Sequence, residues 1–284
     1  MPLTSAVREY MSPILHTAPR GATLDHVVNV MARLHIRHVP LVDDGRVVAV
    51  VTPEDVVSQL LEEGGLAHVE IRLGDRPVPA VSPSASITDA AKAMIDHSVD
   101  FVIVGPLTAP SGIVSSRDIV RALEGERLGV PVAQCMDEAP PSVPLTAGLR
   151  EAAEKMLTTR VCGSYSVRHV VVGVGGLPIG VVSARDIIYH ASVRGTLEGR
   201  VIDVMSQQLY YLDPASSLDE AVEEMVERDV GFLPVVYRAK MLGGVYEFTV
   251  VKAIVGGPCR GGEGTDSGAQ TPRLGQDDSS IQPS

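Results

Sequence analysis

A chain of 284 residues with 45% apolar and 21% charged side chains can bury more than one core, so two or more globular units are expected. Its formal net charge of −11 argues against a general nucleic-acid binder, which relies on many lysine and arginine contacts to phosphate. Cys135, Cys162 and Cys259 are odd in number, far apart and without a CxxC, which suggests neither a disulfide framework nor a zinc site.

The opening stretch, MPLTSAVREYMSP, has no apolar run behind a basic start, so no signal peptide is read there and a cytoplasmic location is the expectation. From here the chain repeats itself. LDHVVNVM at 24–31 carries an aliphatic residue, Val three later and Met seven later, one face of an amphipathic helix, with Pro19 upstream and Thr23 at the cap. A strand HVPLVD starts at His38; the close pair His35 and His38 lacks a ligand-type neighbour, so no metal site is expected. AVVTPEDVV at 49–57 then supplies a second strand and a second helix.

The same order returns three times. ITDAAKAM at 87–94 follows Pro83 and Ser86, and leads to FVIVG from Phe101 and GIVSSRDIV at 112–120. LREAAEKM at 149–156 follows Pro144 and Gly148, and leads to GVVSARDII at 180–188. LDEAVEEM at 218–225 follows Pro214 and Ser217, and leads to FLPVVY from Phe232 and GGVYEFTVV. Met31 to Asp55, Met94 to Asp118 and Met225 to Thr249 each span 24 residues, whereas Met156 to Asp186 spans 30, its extra residues falling within TTRVCGSYSVRH. Short runs ending in methionine, VREYM, VAQCM and VIDVM, precede three of the repeats.

HVVVGVGGLPIGVV at 169–182 is too short and too rich in glycine to span a bilayer, and reads as two strands and a turn. Residues 256–284 lose all periodicity and are expected to be a disordered tail. The result is an α+β chain of four β-α-β-β-α units, at 7–62, 71–125, 132–193 and 201–255. A unit of about sixty residues buries a modest fraction of its surface, so the units should pair.

Thr52 to Asp55, Ser115 to Asp118 and Ser183 to Asp186 each match a capping box, and Pro53 suits a first helical position. The same turn can also serve a ligand. Helix-start N–H groups bind phosphate, Arg117 and Arg185 add forked cations, and an aspartate suits the donor hydroxyls of a ribose. Ser115 and Asp118 have no histidine base at motif spacing, and GVGGLP puts Pro178 where a dinucleotide fingerprint needs its third glycine, so an enzyme is not expected.

The order of elements, the VREYM lead-in, HVPLVD, FLPVVY and GIVSSRD together resemble the CBS domain, in four copies over roughly residues 7 to 255. The resemblance implies two tandem Bateman modules, each a pseudo-twofold pair of CBS repeats with clefts for AMP, ADP, ATP or S-adenosylmethionine. It assigns Thr52, Ser115 and Ser183 to phosphate and Asp55, Asp118 and Asp186 to ribose, with Arg117 and Arg185 beside the phosphate. It also sends Arg37 and His38 to phosphate across the module, against the plain alternative of a solvated loop, and places Val39 and Pro40 at the base.

Departures from the family pattern rank the clefts. Glu54 repels polyphosphate in repeat one unless Arg37 compensates, and Tyr246 with Thr249 removes both cap and sugar acceptor from repeat four. Asp118 and Asp186 therefore come first and Asp55 third. The leading expectation is a non-enzymatic sensor of an adenosyl ligand, without catalytic cofactor, metal or membrane, acting as a homodimer on an unknown regulated protein. The alternatives are an interaction scaffold with no physiological ligand and a nucleic-acid-binding CBS protein, the latter disfavoured by the acidic balance.

Overall fold

The computed structural model describes residues 2–74, 76–161 and 165–256; Cys162, Cys259 and the expected tail from residue 257 onward lie outside the described residues. Repeat one runs β1 (Ala18–Pro19), α1 (Leu24–Leu34), β2 (Val39–Asp43), β3 (Arg46–Val51) and α2 (Pro53–Glu63). Repeat two runs β4 (Ala80–Val81), α3 (Ile87–Asp96), β5 (Phe101–Val104), β6 (Gly112–Ser115) and α4 (Ser116–Ala122). A one-turn α5 (Val132–Cys135), whose buried Cys135 thiol donates to the Pro131 and Val132 carbonyls, leads into repeat three. That repeat holds β7 (Ser142–Pro144), α6 (Leu149–Thr158), β8 (Arg160–Val161), β9 (Tyr165–Ser166), β10 (His169–Val174), β11 (Leu177–Ser183) and α7 (Ala184–Arg194). Repeat four holds α8 (Leu218–Glu227), β12 (Phe232–Tyr237), β13 (Lys240–Tyr246) and α9 (Glu247–Ile254).

The first helix of each repeat forms because its apolar positions recur on one face, and the buried residues fall in the same columns each time. They are Leu24, Val27, Val28 and Met31; Ile87, Ala90, Ala91 and Met94; Leu149, Ala152, Ala153 and Met156; Leu218, Ala221, Val222 and Met225. In repeats one to three a short strand pairs parallel with the central strand, which pairs antiparallel with the last one. In repeat four the short strand shrinks to one parallel bridge, Leu212 with Val235. The extra residues of repeat three make the β8–β9 pair, and Gly175 and Gly176, at φ 59° and 85°, close the β10–β11 hairpin as a two-residue turn.

Sheets join repeat one to two, with Val47 and Val50 of β3 against Phe101 and Ile103 of β5. They also join repeat three to four through β11 and β13, beside which the Tyr165 ring of β9 and the Phe248 ring of α9 stack at 3.6 Å. The two larger cores lie elsewhere. Helices α1, α2, α6 and α7 bury their apolar faces together, and so do α3, α4, α8 and α9, so repeat one is fused to three and repeat two to four. The four units therefore form a ring in the order one, two, four, three. The two sheet-joined pairs are the modules that the resemblance implies, and their helical faces are what hold the pairs together. Among the described residues no helix is long and apolar enough to cross a membrane.

Candidate functional site

Every closing motif caps its helix. Asp118 Oδ2 accepts from Ser115 N at 2.8 Å and from Ser115 Oγ at 2.7 Å. Asp186 Oδ2 accepts from Ser183 N at 2.8 Å and Oγ at 2.6 Å, and Asp55 Oδ2 from Thr52 N at 2.8 Å and Oγ1 at 2.7 Å. In each case one carboxylate oxygen does the capping, which leaves the other to decide what the motif can do. The Oδ1 atoms of Asp118 and Asp186 take no hydrogen bond from any described residue, and both aspartates line open clefts. Asp55 Oδ1 instead accepts from Arg76 Nη2 at 2.6 Å, in an ion pair that leaves the Asp55 side chain 9% exposed.

The walls of the clefts come from the lead-in of the paired repeat. Ser12 bridges Ile113 through two backbone hydrogen bonds of 2.9 and 3.1 Å, and Ser206 bridges Val181 through two of 2.9 and 3.0 Å. This approach requires glycine on the strand. A Cβ on Gly112 would lie 2.8 Å from Met11 Sδ and 2.6 Å from Ser12 O, and a Cβ on Gly180 would lie 2.6 Å from Met205 Sδ. Met136 meets Gly243 in the same way. Repeat one carries Ala49 at this position, and repeat two has no methionine lead-in to lay on it.

The Asp118 cleft encloses about 600 Å³ between Ser12–His16, Pro40, Ile113 and the motif. The Asp186 cleft encloses about 380 Å³ and is the more apolar, walled by Ile36, Val181, Leu209, Phe232 and Pro234. Both share Arg37, Arg117 and Arg185 as a common border. Val39 is fully buried and lines neither cleft, whereas Pro40 lines the Asp118 cleft.

Charge fills the centre of the ring. Arg37 Nη1 donates to Glu247 Oε2 at 2.9 Å, Arg117 Nε to Glu247 Oε1 at 2.8 Å, and Ser116 Oγ to Glu247 Oε2 at 2.9 Å. Burial works against the Glu247 carboxylate, but the two guanidinium groups outweigh it and hold its pKa at about 2. Arg117 also pairs with the exposed Asp229. His38 Nε2 lies 2.9 Å from Asp100 Oδ1, with Arg168 on the other Asp100 oxygen. Burial opposes this carboxylate as well, and Arg168 and His38 hold it well below the ordinary range. His169, stacked on Phe232, is pushed down to about 3 chiefly by burial, with Arg37, Arg117 and Arg168 adding to it against Glu247, so its ring is neutral.

Arg185 differs from its neighbours. Among the described residues it makes no ion pair, and its guanidinium faces both clefts. Partial desolvation by the cleft walls, then the like charges of Arg37 and Arg117, lower its pKa from the usual arginine value, and it remains a cation at neutral pH. Glu54 turns to Ser166 Oγ at 2.5 Å and to Arg160, while Arg37 lies in the shared border of the other two clefts. At Tyr246 and Thr249 the cap is reduced and not lost. The Thr249 hydroxyl accepts from Tyr246 N at 3.1 Å, while the Tyr246 ring packs on Phe232 at 4.7 Å.

Several site residues were not foreseen: Arg76, Asp100, Arg168, Asp229 and Glu247. Alignment of the repeats holds the signal for most of them. Arg37, Asp100, Arg168 and Gly231 occupy one column, before His38, Phe101, His169 and Phe232; Pro53, Ser116, Ala184 and Glu247 occupy another, at the start of the closing helix. The diagonals of the ring join these columns, repeat one to four through Arg37 and Glu247, and repeat two to three through Asp100 and Arg168.

Comparison with known proteins fits this architecture. The CBS domain family model matches residues 7–62, 70–125, 132–192 and 201–256. An uncharacterized 33.4 kDa protein in the ribosomal RNA operon of Thermofilum pendens is 30% identical over 194 residues, 61% of this chain and 62% of that protein, so the chain spans less than two thirds of this relative's length. The crystal structure of protein MJ1225 from Methanocaldococcus jannaschii, described as a proposed archaeal homolog of g-AMPK, superposes with a TM-score of 0.73 at 18% identity, over 88% of this chain and 99% of that one. An uncharacterized conserved protein from Pyrococcus horikoshii gives 0.61 at 19% identity, over 88% and 100%. At these identities both structures speak for the fold alone.

Proposed function

The chain belongs to the CBS-domain family, and on that premise we propose that it is a non-enzymatic regulatory sensor that binds an adenosyl ligand in the Asp118 and Asp186 clefts. The observation that carries the reading is the pair of Oδ1 atoms that take no hydrogen bond from any described residue, on aspartates that each line a cleft bordered by the unpaired Arg185. A ribose donates two hydroxyls to such an oxygen, a phosphate meets the arginine, and a base lies between Ile36, Val181 and Phe232 in the Asp186 cleft. The Ser115 and Ser183 hydroxyls donate to their aspartates, so arginine is the principal phosphate donor and the serines reorient to join it. A regulated protein or a second copy of the chain reads the change. Ligand can shift the packing only by its differential affinity for two arrangements, and the diagonal ion pairs are the contacts that phosphate competes for.

A thermal-shift panel of AMP, ADP, ATP, S-adenosylmethionine and NAD tests this. A ligand at 100 times its Kd stabilises by about 2.7 kcal/mol, a shift of several degrees at about 2–4 °C per kcal/mol. No shift with any of them sinks the sensor. What then stands is the interaction module, a reading favoured by the Arg76 side chain that already occupies Asp55.

A further inference from the structure

We infer that Glu247 sets the charge class of the ligand: by pairing with Arg37 and Arg117 from inside the ring and offsetting one of their two charges, it makes the two clefts accept nucleoside monophosphates in preference to triphosphates. The inference rests on the sensor reading above and adds to it a selectivity residue that lies outside every closing serine-to-aspartate motif.

Three guanidinium groups border both clefts, and two of them already have a protein counterion. Glu247 takes one nitrogen of Arg37 and one of Arg117, and Asp229 takes a second nitrogen of Arg117. Each of these arginines keeps N–H groups for a ligand, but the three, with Arg121 of the Asp118 cleft, which shares Asp229, hold two net positive charges once the two carboxylates are set against them. Asp118 and Asp186 face the same clefts. A phosphate monoester brings about −1.5 to −2 charges at neutral pH, and each further phosphate adds to that. Two triphosphates, one per cleft, would meet across a single unpaired Arg185, and like charges at such an approach are repulsive.

The carboxylate is built in. The Glu247 side chain is 8% exposed and is satisfied by three donors from repeats one and two. Repeat four makes room for it with Gly231, where the other repeats have Arg37, Asp100 and Arg168: a Cβ on Gly231 would lie 3.0 Å from Glu247 Oε1 and 3.2 Å from His169 Cε1. The repeat that forfeits its own sugar acceptor thus contributes a fixed anion to the shared cation border. Its pKa of about 2 keeps it charged at every physiological pH.

The test is calorimetric titration of the full chain with AMP and with ATP, magnesium-free, for the wild type, Glu247→Gln and Asp229→Asn. The wild type is expected to bind AMP more tightly, and Glu247→Gln to move the AMP-to-ATP affinity ratio toward ATP by about tenfold. Asp229→Asn moves it the same way by less, because Asp229 is 63% exposed and its charge is screened. A cooperatively melting Glu247→Gln protein with an unchanged ratio overturns the inference; if that variant does not fold, an unchanged ratio in Asp229→Asn does so. A wild type that prefers ATP overturns it while the sensor stands. Binding of neither nucleotide by any of the three chains overturns the inference, and the sensor falls with it when the other ligands of the thermal-shift panel also give no shift.

Discussion

The closing turns of repeats one and three make the same local contacts, to within 0.1 Å, yet one ends in a guanidinium and the other in a cavity. Asp55 Oδ1 meets Arg76, and Asp186 Oδ1 meets open space lined by Arg185, Phe232 and Pro234. A capping box therefore says where a helix starts and leaves open whether a ligand can reach it. What separates the two is the segment supplied by the partner repeat. Repeat four lays Met205 and Ser206 on the glycine strand of repeat three, whereas repeat two delivers Arg76 onto Asp55.

The largest way to break the comparison is to make Asp186 chemically like the engaged Asp55. In Asp186→Asn the amide oxygen still accepts one backbone N–H, but the carboxylate proposed to receive ribose hydroxyls is gone. Hydrogen bonds to a charged group contribute about 1.5–3 kcal/mol, so affinity in that cleft should fall by about tenfold or more. Asp118→Asn does the same in its own cleft, and the unliganded stability of each variant falls only by the ~1 kcal/mol of a weakened cap. Calorimetry that shows full affinity in both variants contradicts the assignment of the two aspartates to ribose.

A second measurement concerns what repeat four contributes in place of an aspartate. The folded Glu247 has its pKa depressed from 4.5 to about 2, so its contribution to stability is complete above pH 4.5 and disappears as pH falls from there to about 2. The size is on the order of 3 kcal/mol. Asp100 and His169 also destabilise the fold toward acid, so the diagnostic is the difference between wild type and Glu247→Gln. The wild-type denaturant midpoint should drop more steeply between pH 4.5 and 2 than that of the variant, which has no proton to gain at position 247. Parallel curves would mean that the carboxylate is not held by Arg37 and Arg117.

Much of this was open to reading. The four helical faces from Leu24, Ile87, Leu149 and Leu218, the capping boxes of repeats one to three and the missing aspartate of repeat four follow from spacing and residue type, whereas the cap that Thr249 keeps on Tyr246 N does not. The partners of those faces do not, because a 3.6-residue periodicity specifies that a face is buried and is silent about which helix covers it; that α1 meets α7 was not legible. Glu247 was hidden for a different reason. Read as part of a degenerate motif, GGVYEFTVV shows two losses, Tyr246 and Thr249, while the acid between them is visible as a gain only when Arg37 and Arg117 are seen to arrive from other repeats. Arg76 lies in GDRPVPA, where no period marks a role, and its contact with Asp55 is made by tertiary structure alone.

The smallest expected effect sharpens the opening comparison most. If Arg76 and the acidic Glu54 are what distinguish the first cleft, then Arg76→Ala together with Glu54→Arg gives repeat one the charges that Arg117 and Arg185 give repeats two and three. The Arg76 side chain is 31% exposed, so its loss should cost about 1 kcal/mol, near the upper end for a partly solvated ion pair. Equilibrium dialysis of the double variant should then show one more equivalent of AMP per chain than the wild type, with Asp55 Oδ1 as the new acceptor. An unchanged stoichiometry would place the difference in the wall instead of the charges. Ala49 stands where Gly112 and Gly180 allow the methionine lead-ins to seat, repeat two supplies no such lead-in, and the space beside Thr52 and Arg76 is about 170 Å³, against about 600 and 380 Å³ in the other two clefts.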